Sequence, residues 1–151
     1  MAGEPIQVRI SRVRPGAVLP RYMSDGASGC DICACGDAAV VVRPGERVAV
    51  PTGLAVEIPA GYEIQVRPRS GMAFKKGLTV VNTPGTIDSD YRGEIQVLMI
   101  NLGTESVTIA PGDRVAQLVL SEVPQIGWVE APDLTQSTRG AGGFGSTGIS
   151  Q

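Results

Sequence analysis

Eleven prolines interrupt this chain, at positions 5, 15, 20, 44, 51, 59, 68, 84, 111, 124 and 132, with twenty glycines spread among them. Proline ends or kinks a helix because it lacks a backbone N–H and its ring clashes with the preceding turn. Between the breaks lie short runs rich in Val and Ile, at residues 7–10, 40–42, 47–50, 54–58, 62–67, 78–81, 94–101, 106–109 and 115–123. Several alternate, as at Val48/Val50 and Ile64/Val66, with the period-2 spacing of half-buried strands. Turn sequences at 44–45, 51–53, 59–61 and 111–113 recur at near-regular intervals. The pattern predicts an all-β fold, a jelly-roll-like barrel or sandwich, with a single short helix over residues 70–76. The length of 151 residues fits one domain, long enough to bury about two-thirds of its unfolded surface.

The C-terminal end differs from the body. After Trp128 the apolar rhythm stops, and the sequence runs out in RGAGGFGSTG at 139–148. Residues 1–132 are therefore expected to form the body, and 133–151 an extended, flexible arm too poor in apolar side chains to bury itself. Phe144, one of six aromatic residues in the chain, sits in that arm, which suggests that the arm closes over something.

Thirteen basic against fifteen acidic residues leave a net charge of −2, which argues against a nucleic-acid partner recognised through its phosphates. The longest apolar run, 38–42, is far below the roughly 20 residues that span a bilayer, so no membrane partner is expected. Three cysteines, an odd number, fit a reducing, cytoplasmic setting better than a disulfide framework. Their C-x-x-C-x-C spacing at Cys30, Cys33 and Cys35 lacks the fourth ligand of a structural zinc site. The chain contains no histidine, which removes the Ser-His-Asp, Cys-His and zinc-His forms of catalysis. A carboxylate is the remaining candidate for a general base.

Three short segments carry candidate chemistry. Pro68-Arg69-Ser70-Gly71 places a guanidinium and a hydroxyl at a helix start, where free N–H groups suit a phosphate. The plain alternative is Ser70 as N-cap beside a solvated Arg69. Asp88 and Asp90 lie between two strand runs; one is expected to work and the other to brace a turn. Arg139, Ser146, Thr147 and the glycine N–H groups of the arm can cradle an anion. The arm also contains G-x-G-x-x-G at Gly140, Gly142 and Gly145, but no helix can follow with six residues left, so the dinucleotide reading fails.

Taken in order, five segments resemble the homotrimeric dUTP pyrophosphatase (dUTPase) family. They are 27–32 (ASGCDI), 68–73 (PRSGMA), 82–93 (NTPGTIDSDYRG), 112–118 (GDRVAQL) and 139–148. The resemblance implies a β jelly roll in a three-fold trimer, hydrolysis of dUTP to dUMP and pyrophosphate, and Mg2+ as cofactor. By position it implies Asp88 as the base that deprotonates the attacking water, and Asp31 as the residue holding the metal through water. It assigns Arg69, Ser70, Gly71 and Gln117 to the phosphates, and Asn82, Thr86 and Ile87 to uracil's polar edge, with Gln96 a looser candidate there. Tyr91 would pack on the deoxyribose and exclude a 2′-hydroxyl. Phe144 would stack on the base while Arg139, Gly145, Ser146 and Thr147 close on the phosphates of a site shared between chains. Ser28 and Cys30 depart from the family's usual residues without touching these roles.

Two other readings compete. A dCTP deaminase shares fold and phosphate cradle but carries a catalytic glutamate after Arg-Ser, where this chain has Gly71-Met72-Ala73. A non-catalytic nucleotide-binding module would be natural only if Asp88 or the arm were missing.

Overall fold

The computed structural model describes residues 4–148; residues 1–3 of the expected body and 149–151 of the expected arm lie outside it. Twelve strands and one helix follow in chain order: β1 (Arg9–Arg12), β2 (Arg21–Tyr22), β3 (Cys30–Cys33), β4 (Val40–Val42), β5 (Arg47–Pro51), β6 (Leu54–Glu57) and β7 (Tyr62–Arg67). Then come α1 (Ser70–Lys76), β8 (Leu78–Val80), β9 (Gly85–Ile87), β10 (Gln96–Asn101), β11 (Val107–Ile109) and β12 (Arg114–Glu122). The all-β, jelly-roll-like expectation with one short helix is met. No helix among the described residues is long and apolar enough to cross a membrane.

All strand pairs are antiparallel. A five-stranded sheet has the order β2-β3-β12-β7-β9, and a three-stranded sheet the order β5-β10-β8. The pairs β11-β4 and β1-β6 complete the structure. Alternation along the strands turns one face of each inward, and Ile32, Val42, Leu54, Leu78, Val97, Met99 and Val115 are buried in one contiguous core. The order is not that of a simple meander: β3 lies beside β12, more than eighty residues away, as long-range Greek-key connections require.

The strands at Val40–Val42 and Tyr62–Arg67 and the helix fall where the sequence places them. Three strands were not expected. In β3 an aspartate interrupts the apolar pattern, and β12 alongside supplies the pairing that holds it extended. β9 opens on Gly85, where a Cβ would sit 3.2 Å from the Val66 Cβ and 3.3 Å from the Asn82 side-chain amide. Glycine inside a strand marks such a close approach rather than a break. β2, two residues long, has too little sequence to carry a period.

Among the described residues, Asn101 and Thr52 are the buried polar side chains of the core. The Asn101 amide donates to the Val42 carbonyl at 2.8 Å and the Glu105 carbonyl at 2.7 Å, and its oxygen accepts from the Gly103 N–H at 2.8 Å. One side chain thereby ties the end of β10 to β4 and to the loop against which α1 stops. Replacing it leaves three backbone groups, one buried and two partly buried, without this partner. Asn101→Ala is expected to cost about 3 kcal/mol of folding stability, measured by urea denaturation.

Candidate active site

The residues singled out from the sequence fall into three groups in space. The first sits at the junction of β3, β12 and the start of α1. Gln117 in β12 faces Asp31 of β3 on one side and Arg67 of β7 on the other. Arg69 follows β7 by two residues, in extended backbone (φ −93°, ψ 123°), and caps α1 without a side-chain cap bond. Ser70 is thus the first helical residue rather than the N-cap. Arg69 is not a solvated bystander either: its Nε lies 3.3 Å from Asp31 Oδ2 and its Nη1 donates to the Arg114 carbonyl at 3.1 Å. Gln117 donates to the Pro68 carbonyl at 3.1 Å and lies across Gly29, where a Cβ would come within 3.0 Å of the Gln117 oxygen. Gln117 therefore fixes the turn that delivers Arg69 and Ser70.

Arg114 completes this group, and nothing in the sequence reading gave it a role. Its Nη1 donates to Asp31 Oδ2 at 3.0 Å. It reaches Asp31 because β12 carries a bulge between Arg114 and Ala116, so that Arg114 pairs with Cys33 while Ala116 pairs with Ile32. Asp31, Cys33, Gln117 and Arg114 then share one face, and Val115 and Ala116 both turn into the core. Two consecutive core residues break a period of two, and that was the available signal. Both guanidinium groups lean on Oδ2, leaving Oδ1 free of protein donors among the described residues. One carboxylate between two guanidinium groups leaves a net positive cradle suited to a polyanion.

The second group lines a cavity of about 250 Å³ between β9 and β10. Asn82, Thr86, Ile87, Asp88, Tyr91 and Gln96 all border it, with Val66, Val80, Ile95 and Leu98 as its apolar wall. Ile87 is buried, whereas Asp88 follows the end of β9 in the open. The Tyr91 N–H donates to the Asp88 carbonyl at 3.1 Å, closing a turn over Ser89 and Asp90. The Tyr91 hydroxyl donates to the Glu94 carbonyl at 2.9 Å. Glu94 is itself held by both nitrogens of an Arg14 fork at 2.7 and 2.9 Å and by the Gly53 N–H at 2.9 Å. The Arg14 hydrogen bond holds the Glu94 carboxyl below the usual glutamate range, against a smaller upward push from burial.

The third group is the arm. Arg139, Gly145, Ser146 and Thr147 lie in consecutive exposed turns, with hydrogen bonds inside the segment such as Gly142 N–H to the Arg139 carbonyl and Ser146 N–H to the Gly143 carbonyl. Phe144 is fully exposed, with a positive φ of 49°. The structure brings these five residues to neither of the other groups.

The first two groups are also apart. Along β7, Gln65 pairs with Thr86 and Ile64 with Ile87, so Asp88 falls near the start of the strand, level with Glu63, while Arg69 lies past its end. The intervening five to six residues amount to about 16–20 Å at the rise of an extended chain.

A base-sized cavity and a cationic cradle on one antiparallel sheet define an all-β domain of the nucleotide-hydrolase class. The comparisons give the family. The dUTPase family profile matches residues 16–148, and the chain belongs to that family. It is 60% identical to a deoxyuridine 5'-triphosphate nucleotidohydrolase of Desulfotalea psychrophila over 131 residues, covering 87% of each chain. It is 53% identical to a protein of the same name from a Hydrogenobaculum species, covering 95% of this chain and 99% of that one. Among solved structures, a Staphylococcus bacteriophage 80alpha dUTPase with dUPNHPP superposes with a TM-score of 0.87 at 25% identity, covering 95% of this chain and 99% of that chain.

Acid tests the Arg14–Glu94 clamp. Because the Glu94 carboxyl is lowered in the folded state, its stabilising contribution is fully present above pH 4.5, the ordinary value, and is lost as pH falls through the folded value. Glu94→Gln is therefore expected to be less stable than the parent at pH 7. The difference should shrink below pH 4.5, as read from denaturant midpoints across that range.

Proposed function

We propose that this chain hydrolyses dUTP to dUMP and pyrophosphate, at sites assembled from more than one copy in a homotrimer. The observation that carries the reading is the division of the predicted residues. Asn82, Thr86, Ile87, Asp88, Tyr91 and Gln96 share one cavity beside β9, while Gln117 and Asp31 lie on the other side of β7 and Arg69, Ser70 and Gly71 follow the end of that strand. A nucleoside triphosphate needs a base pocket, a base catalyst and a phosphate cradle within its own length. Copies related by cyclic symmetry can bring the cavity of one chain to the cradle of the next.

In this reading uracil enters the cavity, with the Asn82 amide and the backbone at Thr86 and Ile87 against its polar edge and Gln96 at the rim. Tyr91 fills the space beside the sugar, where a 2′-hydroxyl would otherwise fit. Arg69, the N–H groups of Ser70 and Gly71, and the turn held by Gln117 receive the phosphates. Asp88 takes a proton from the water whose oxygen attacks the α-phosphorus in line, and pyrophosphate departs on the opposite side. Arg139, Gly145, Ser146 and Thr147 close on the phosphates and Phe144 covers the base, which removes competing water from the site.

The donor set fits magnesium. Among the described residues there is no group of three or more acidic, cysteine or histidine side chains that would encage a metal. Magnesium keeps several waters and is held by one or two carboxylates together with substrate phosphates. Asp31, half-buried with Oδ1 open, supplies one such carboxylate. When bound, the metal neutralises charge on the phosphate oxygens.

Asp88→Asn is expected to lower turnover roughly 10²–10⁴-fold, the usual contribution of a positioned general base, with fold and dUTP binding retained. Near-normal turnover removes Asp88 from that role. With dUTP or dCTP as substrate, pyrophosphate should form from dUTP, and ammonia release from dCTP would point to a deaminase instead.

Assembly is tested by mixing. Three chains of 15.7 kDa give a particle of about 47 kDa in sedimentation. Asp88→Asn and a chain cut after Ser137 should each be nearly inactive alone. Refolded together one to one, every mixed trimer contains one site with both parts intact, so about a quarter of all sites recover under cyclic symmetry. Mixed trimers that stay at the parents' level would show that the arm folds over its own chain's Asp88.

A further inference from the structure

We infer that Arg14 is a positioning residue for sugar selection, acting on Tyr91 through Glu94. The inference rests on the reading of Tyr91 as the residue beside the deoxyribose. Arg14 lies outside all five family segments, eighty residues before Glu94, in the turn that follows β1.

The Tyr91 side chain has little to hold it. The residue is 44% exposed, so its ring is only partly covered. Its backbone is held by the N–H bond to the Asp88 carbonyl and by the Arg92 guanidinium on its own carbonyl, and two contacts set its side chain. The ring lies against Gly93, where a Cβ would come within 2.5 Å of the hydroxyl and 2.7 Å of Cζ. The hydroxyl donates to the Glu94 carbonyl at 2.9 Å. The place of the ring therefore follows the place of the Glu94 peptide.

That peptide is fixed from the far side. The Arg14 fork grips both Glu94 oxygens, at 2.7 and 2.9 Å, and the Gly53 N–H adds a third bond to Oε1 at 2.9 Å. A bidentate guanidinium–carboxylate pair is directional as well as strong, because both partners are planar. The Glu94 side chain is only 16% exposed and cannot turn into water without moving its own backbone. The following residue is locked independently: the Ile95 N–H donates to the Leu54 carbonyl at 2.8 Å, and Thr52 Oγ1 donates to the Ile95 carbonyl at 2.7 Å. Glu94 is thus the point where a rigid strand entrance meets the turn bearing Tyr91, and Arg14 sets its orientation. Without Arg14, the carboxylate loses two of its three donors, the peptide relaxes, and the acceptor of the Tyr91 hydroxyl moves with it.

A merely structural clamp would lower stability and leave selectivity alone, so the readout is the ratio of kcat/KM for dUTP to that for UTP. It is measured for the parent trimer, Arg14→Gln, Arg14→Lys, Tyr91→Ala and the double variant Arg14→Gln/Tyr91→Ala. Arg43→Gln serves as a control, because it removes another Arg–Glu pair, Arg43–Glu46 at 3.4 Å, in the turn between β4 and β5. Tyr91→Ala should lower the ratio most. Arg14→Gln should lower it about 3- to 10-fold, and Arg14→Lys, which keeps the charge but not the fork, by less. In the Tyr91→Ala background, Arg14→Gln should produce no further fall, because both act through one ring. Should Arg14→Gln fail to fold, the Lys variant carries the same comparison. An unchanged ratio in the Arg14 variants beside a lowered one in Tyr91→Ala overturns the inference, as does an equal fall in Arg43→Gln. An unchanged ratio in Tyr91→Ala overturns the assignment of Tyr91 itself, and Arg14 with it.

Discussion

Much of the molecule depends on β12 being paired on both sides at once. A strand between two partners has no freedom to slip, since a shift of one residue would turn its entire apolar face outward. The double register sets Gln117 in line with Asp31 and with Arg67, and so brings together segments that are far apart in sequence. β7 passes the same constraint on to β9, and with it to the position of Asp88. Sheet order alone then decides which functional residues one chain can gather. It gathers the cradle at β3 and β12 on one side of β7 and the cavity beside β9 on the other.

What was legible in the sequence follows from how local its cause is. Tyr62–Arg67 alternates cleanly, and Ser70–Lys76 is a turn-bounded helix between Pro68 and Gly77, so both could be read without knowing their neighbours. Gly77 ends the helix in the left-handed region, φ 67°, against Gly103. β1 begins two residues later than the apolar run suggested, because its register is set by β6. β10 starts at Gln96 rather than at residue 94, since Glu94 is drawn toward Arg14 and Gly53. The cavity residues were legible because most of them fall in one contiguous segment resembling a known family. Arg114 and Arg14 were not, since each acts through a partner about eighty residues away and neither neighbourhood announces it.

The C-terminal part shows the limit of reading a chain as self-sufficient. Ile126, Trp128, Val129 and Leu134 are all largely exposed, as is Phe144. Apolar side chains in a segment with no core of its own gain nothing from the fold of that chain. Contact with another surface would place their part of the free energy in association rather than in folding.

The bulge at the start of β12 has a consequence for how the gene can change. The turn before it, Pro111-Gly112-Asp113, is exposed, and exposed turns ordinarily tolerate a residue gained or lost. Here the extra residue is what lets Arg114 face Asp31 while Val115 and Ala116 remain in the core. Losing the codon of Arg114 would restore a regular ladder and set Val115 opposite Cys33. The regular ladder would put an apolar side chain beside Asp31 where the guanidinium now lies. Losing the codon of Val115 would instead keep Arg114 in place and remove a fully buried side chain, so a change of length at this point costs either the charge or the core, and a length difference between relatives should fall elsewhere.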